Sequence, residues 1–114
     1  LEAGDVVAIE PFATTGRGKV GEGSRTEIYS LERERSVRDR TARQIMERVT
    51  EEYRRLPFAS RWFDEPRAEM AVRRLEQQGV LHGYPVLKET TGGLVSQAEH
   101  TVVVTEDGCE VTTR

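Results

Sequence analysis

The chain has 114 residues, enough for one domain or one small domain carrying an insertion. Hydrophobic residues make up 36% and charged residues 32%, a balance that suits a small soluble protein with a large surface for its volume. A net charge of −3 gives no global pull toward nucleic acid or anionic membrane, and neither a bilayer-spanning apolar run nor a signal-peptide core is visible.

The single Cys109 excludes an internal disulfide framework and fits a reducing cytoplasm. The chain opens on Leu1 and runs almost directly into a strand, so it reads as a piece of a longer protein. That strand, about Asp5 to Phe12, follows Gly4-Asp5 and contains Val6-Val7-Ala8-Ile9 before Glu10-Pro11-Phe12. Thr14 to Ser24 is glycine-dense and reads as a loop or a pair of turns. It lacks the spacing and lysine of a phosphate-cradling loop. Glu27 to Leu31 reads as a second strand.

A helical block comes next. Asp39 is a suitable N-cap, and Ala42, Ile45, Met46, Val49 and Tyr53 recur at helical spacing as a core stripe. Leu56-Pro57 breaks the helix, and Phe58 to Phe63 forms a short aromatic turn or helix. Trp62 and Phe63 beside Arg61 read as core aromatics of this module rather than base-stacking residues. The spacing predicts a second helix from about Pro66, with Ala68, Ala71, Val72 and Leu75 buried and Gly79 as its stop. Val80 to Lys88 reads as extended chain, which Pro85 restricts to an edge or an irregular segment. Gly92-Gly93 turns into Gln97-Ala98-Glu99-His100-Thr101-Val102-Val103-Val104, the strand around which the chain is organised. Glu110 to Thr113 pairs back across Asp107-Gly108 as a hairpin.

Alternation along that organising strand puts Gln97, Glu99, Thr101 and Val103 on one face. Burying a carboxylate is costly unless it is paired or bound to metal. Glu10 ends the first strand in the same way, so two strand-borne carboxylates could meet on neighbouring strands. From the residues alone, the commoner reading of both is a salt-bridged structural carboxylate. His100 points to the opposite face and reads as a hydrogen-bonded structural histidine. His82 reads as a surface-loop residue, and Cys109 lacks the partners of a nucleophile.

Four motifs in order, Ala8-Ile9-Glu10-Pro11-Phe12-Ala13-Thr14, Leu56-Pro57-Phe58-Ala59 with Arg61-Trp62, Gly83-Tyr84-Pro85-Val86-Leu87 and Gln97-Ala98-Glu99-His100-Thr101, resemble the C-terminal part of the catalytic domain of type II methionine aminopeptidases, the archaeal and eukaryotic kind. The resemblance spans essentially the whole chain. It implies an α+β architecture, part of a pita-bread (creatinase/aminopeptidase) fold with an inserted winged-helix-like helical subdomain. The expected division is pita-bread strands at 1–37, the insertion at 38–86, and pita-bread strands with the C-terminal hairpin at 87–114.

The resemblance further implies removal of the N-terminal methionine from nascent proteins by hydrolysis at two divalent metal ions, Co, Mn, Fe or Zn. Glu10 matches one metal-binding glutamate, and Glu99 matches the one that bridges both metals. Ala98 stands where the family usually has an aromatic residue; facing away from Glu99, it affects packing more than ligation. Tyr84 matches a wall of the methionine pocket, and Phe12 is expected to line it too. The family's two aspartate ligands and its histidine ligand have no counterpart here, so the metals are expected only with a missing N-terminal half and the fragment alone is expected to be inactive.

The implied partners are nascent polypeptide N-termini beginning with Met, with the ribosome as a further candidate. Cytoplasmic localisation, no membrane partner and self-association of the fragment are also expected. The alternative is a winged-helix module that binds nucleic acid or protein without catalysis. Its helices carry Arg67, Arg73 and Arg74 together with Glu69 and Glu76, a mixed-sign pattern typical of solvated faces rather than of a nucleic-acid surface.

Overall fold

The computed structural model describes residues 1–113 as two compact units, 1–21 with 88–113, and Glu22–Leu87 between them in sequence. The chain is thus mixed α and β with antiparallel sheets, and outer strands flank an inserted helical unit in sequence.

In the outer unit, β1 (Val6–Ile9) pairs with β7 (His100–Thr105), and β7 pairs in turn with β8 (Gly108–Val111) across the Glu106-Asp107 turn. A second ribbon joins β2 (Phe12–Thr14) to β6 (Val95–Gln97). The organising strand read from the sequence is therefore two strands, interrupted at Ala98-Glu99, and the first strand is interrupted at Glu10-Pro11. The register nonetheless continues through the gap. Ile9 faces His100 on one side of it and Phe12 faces Gln97 on the other. Each step forward on one strand is one step back on its partner, so Glu10 falls opposite Glu99 and Pro11 opposite Ala98. The Ala98 N–H donates to the Pro11 carbonyl at 3.2 Å, as that register requires. The reciprocal bond cannot form because proline has no N–H, which is why the ladder is interrupted there.

In the inserted unit, β3 (Val20–Leu31) lies between β4 (Phe58–Ala59) and β5 (Leu81–Glu89). β3 begins seven residues earlier than the strand expected from Glu27, running through Gly21 and Gly23, residues that propensity assigns to turns. Tyr29 and Leu31 of β3 enter the helical core, and so the compact unit starts at Glu22. β5 includes Pro85 and is an edge strand, where a missing N–H is tolerated.

The helix α1 (Arg40–Arg48) starts where the sequence indicates: the Asp39 carboxylate accepts the Ala42 N–H at 2.9 Å. Its stripe of Ala42, Ile45 and Met46 is buried, and a wider π-type turn, Val49–Tyr53, carries Val49 and Tyr53 onto the same core. Asp39→Ala is expected to cost about 1 kcal/mol of stability, the usual worth of such a cap. Denaturant unfolding checks this, and an unchanged midpoint would show that the cap contributes nothing.

The helix α2 (Ala68–Gln77) begins two residues after Pro66, because Arg67 adopts a left-handed conformation at φ 66° and does not extend the helix. Ala68, Ala71, Val72 and Leu75 are buried as the spacing predicts. Its C-terminus closes with Gly79 N–H on Glu76 O at 2.8 Å and Val80 N–H on Leu75 O at 2.9 Å. That pair of bonds requires the left-handed φ of 65° that Gly79 adopts without a Cβ penalty. Arg33 Nε adds a bond to the Gly79 carbonyl at 2.8 Å, a cation at the negative end of the helix dipole. Phe58, Phe63 and Tyr29 complete the core of this unit.

Candidate functional site

Glu10 and Glu99 are brought together by strand pairing alone. In the outer unit's ribbon the hydrogen-bonded rungs include Asp5/Val104, Pro11/Ala98 and Thr15/Leu94. Glu10/Glu99 is then a non-hydrogen-bonded rung, where opposed Cα atoms stand only about 4.5 Å apart and their side chains rise on the same face. Val6, Ala8 and Phe12 share that face from one strand, and Val103, Thr101 and Gln97 from the other. Both glutamates are exposed, and Gln97 Nε2 donates to Glu10 Oε2 at 3.0 Å.

Directly opposed like charges destabilise a strand pair. Here the pair sits beside the rung where proline has already removed a ladder bond. Such a site gains by taking a cation, and carboxylate oxygens suit hard or borderline divalent ions. Among the described residues, however, no group of three or more His, Cys, Asp or Glu side chains is arranged to hold a metal. The two carboxylates could supply only part of the ligand set that such an ion needs.

The predicted pocket residues fall in different units. Phe12, on the carboxylate face two residues from Glu10, is 62% exposed. Tyr84 lies on β5 of the inserted unit; its hydroxyl is 3.1 Å from Ser30 Oγ, and its ring meets His82 edge-on with centroids 4.7 Å apart. His100 turns away from Glu99, with Nδ1 2.8 Å from the Thr113 carbonyl, as expected of a structural histidine. Cys109 is exposed on β8. Phe63 is buried, whereas Trp62 is half exposed and tilts over Tyr53 at 5.5 Å, so only part of the aromatic pair is core.

Sequence reasoning missed Glu89. It is buried at the end of β5, and its carboxylate accepts four donors. Oε1 takes the Arg17 N–H at 2.8 Å; Oε2 takes the Thr91 N–H at 2.6 Å, the Thr91 hydroxyl at 2.7 Å and the Gly93 N–H at 3.1 Å. The Thr91 hydroxyl, followed by the Gly93 amide, holds the carboxyl down to a pKa of about 2 against an ordinary 4.5. Its contribution to stability is therefore complete above 4.5 and is lost as pH falls through about 2. A Cβ on Gly16 would run into this carboxyl group, and one on Gly93 would come within 2.7 Å of the Gly16 Cα. The glycines that read as a simple connection make room for a buried anion. The available signal was an acidic residue just ahead of Thr90-Thr91-Gly92-Gly93, a polar turn rich in backbone donors.

No protein-family model matches the chain. Over all of its length it is 53% identical to a methionine aminopeptidase of Archaeoglobus fulgidus, of which it covers 39%. It is 49% identical over 99% of its length to the methionine aminopeptidase of Pyrococcus horikoshii and 48% to that of Methanothermobacter thermautotrophicus, covering 40% and 39% of them. A solved structure described as that of a thermophilic Arx1 superposes with a TM-score of 0.80 at 25% identity, over 96% of this chain and 30% of that one. The resemblance to methionine aminopeptidases thus extends along the whole chain, which spans about 40% of the length of these curated relatives.

Proposed function

We propose that this chain is a segment of a methionine aminopeptidase, and that within the complete enzyme Glu10 and Glu99 contribute two of the carboxylates that hold a pair of divalent metal ions. The observation that carries this reading is the opposition of the two glutamates on one exposed face, in a chain whose relatives carry that name throughout. When bound, such a pair of ions would supply a water of lowered pKa and polarise the carbonyl under attack.

The chain's own residues have narrower tasks. Glu99 would be the ligand shared by both ions, and Glu10 would be a terminal ligand and a candidate to hold or release a proton during hydrolysis. Gln97 steadies Glu10 through its amide, which fixes the direction of the carboxylate. Phe12 offers an apolar surface beside Glu10. The resemblance assigns Tyr84 to the methionine pocket, and its hydroxyl is oriented by Ser30. The substrates are nascent chains beginning with Met, in the cytoplasm, and the parent fold is of the pita-bread kind. The helical unit is its winged-helix-like insertion, a candidate contact for the ribosome.

A nucleic-acid-binding module is the weaker reading. Arg48 pairs with Glu52, Arg25 with Glu27, and Arg74 lies 4.0 Å from Asp39, so basic groups are offset by acidic neighbours. That pattern does not assemble a single-sign surface.

Ligand counting gives the test. The resemblance places three further ligands in the part of the relatives that this chain does not cover, and each metal needs several ligands at fixed distances. The chain alone is expected to release no methionine from a Met-initiated peptide and to bind no tight pair of Mn or Co ions, whereas the complete enzyme does both. With Val6 67% and Phe12 62% exposed on the carboxylate face, the isolated chain is also expected to self-associate. Titration calorimetry, peptide hydrolysis and light scattering measure the three outcomes. A stoichiometry of two tight metals on the chain alone would overturn the assignment of a partial site.

A further inference from the structure

We propose that Glu89 is a positioning residue for the carboxylate face: it latches the far end of the β2/β6 ribbon, and so fixes Phe12 and Gln97 beside Glu10 and Glu99. The functional meaning of this inference rests on the reading above; the latch itself rests on geometry.

A two-stranded ribbon is marginal in water unless something else holds it. β2 and β6 form such a ribbon, and its apolar residues do not bury it: Phe12 is 62% exposed, Val95 47%, and Leu94 just beyond it 80%. What closes its far end is polar. The last rung is made by Thr15 N–H on Leu94 O at 3.1 Å and by Leu94 N–H on the Thr15 hydroxyl at 3.0 Å. Immediately beyond it, the Glu89 carboxylate draws in the Arg17 amide from one loop and the Thr91 and Gly93 amides from the opposing turn. Thr90 N–H adds a bond to Lys19 O at 2.9 Å. Charge-assisted bonds of this kind are about twice as strong as neutral ones.

The close packing of Gly16 against Glu89 and of Gly93 against Gly16 leaves the two loops one way to meet. Between this latch and the glutamate pair lie only the rungs Thr14/Val95, Ala13/Ser96 and Phe12/Gln97. Loss of the latch is therefore transmitted along a ribbon that has little else to hold it.

Hydrogen exchange of the 114-residue chain tests the latch without reference to activity. Glu89→Gln keeps the shape but replaces one accepting oxygen by an NH2 group, which meets a donor in either orientation, and removes the charge from every bond that remains. The Arg17, Thr91 and Gly93 amides are expected to exchange about tenfold faster or more, as loss of a hydrogen bond to a charged group implies, and the Ala13 and Ser96 amides of the ribbon with them. Val7 and Val102, in the β1–β7 ladder, should keep their protection. Thr91→Val removes a single donor and should give the same pattern at smaller amplitude, which covers the case of a Glu89→Gln chain that fails to fold.

If Ala13 and Ser96 stay protected while the loop amides are freed, Glu89 organises only its own turn and the inference falls. In the complete aminopeptidase, Glu89→Gln should raise KM for a Met-initiated peptide about tenfold at unchanged metal content, since the loss is of substrate placement rather than ligation. Loss of metal with KM unchanged would also overturn it. If the wild-type enzyme released no methionine, the enzymatic reading would fail, and the exchange pattern would judge the latch independently.

Discussion

Glu99→Gln in the complete enzyme is expected to abolish methionine release and to lower occupancy at both metals. The substitution keeps volume and strand propensity, so β6, β7 and their pairing should survive. What changes is the charge and the second oxygen donor, the two properties a bridging ligand needs. Loss of groups that merely support a metal ligand costs roughly 10–100-fold, so loss of the bridging ligand itself should exceed that range. Metal analysis together with initial rates provides the measurement, and circular dichroism of the variant guards against misfolding. Turnover near the wild-type level with two metals retained would remove Glu99 from the ligand set. Glu10→Gln should be milder, because in the proposed site Glu10 serves one metal and not both.

For stability, the largest single effect is expected at Phe58. Its side chain is 1% exposed and meets Tyr53 at 5.6 Å, Phe63 edge-on at 5.4 Å and Tyr29 at 6.3 Å between ring centroids. The rings belong to β3, the π-type turn after α1, β4 and the segment before α2, so one side chain ties together most of the inserted unit. Phe58→Ala should cost about 3–5 kcal/mol, since the surrounding rings cannot all collapse into the space left. Domains of this size are stable by only about 5–15 kcal/mol, and the helical unit is therefore expected to approach unfolding. Denaturant unfolding followed by tyrosine and tryptophan fluorescence reports it. A loss below about 1 kcal/mol would mean that the aromatic cluster repacks freely.

The parts of the chain that could be read from sequence are those where a local pattern and the tertiary packing agree. The α1 stripe of Ala42, Ile45 and Met46 and the Asp39 cap are local, and both are found. The meeting of Glu10 with Glu99 was legible because the two flank strand-forming runs that pair antiparallel, Glu10 just after Val6 to Ile9 and Glu99 just before His100 to Val104. The interruption between the strand halves was less so: Pro11 announces a lost donor, but its effect on Ala98-Glu99 appears only once the partner strand is known. β3 was underestimated because Gly21 and Gly23 argue locally for turns, whereas sheet pairing carries the strand through them. Arg67 was misread for a related reason. Pro66 suits a first helical turn, but nothing in the sequence signals that the next residue takes a left-handed conformation. Glu89 left almost no trace, since its four partners are mostly backbone amides and backbone amides have no letter in the sequence.

The shared register of the two ribbons has an implication for how this segment tolerates changes of length. A strand residue faces up or down according to whether its count from a fixed rung is even or odd. Removing Ala98 alone would leave Glu99 across from Glu10 but move the β6 residues by one, sending Gln97 to the reverse side and stripping Glu10 of its amide partner. Removing Pro11 would do the same to Phe12. The edits that keep the face intact are therefore silent in parity, or fall in the Glu106-Asp107 turn, outside the counted stretch. Along the ribbon, spelling can drift so long as the arithmetic does not.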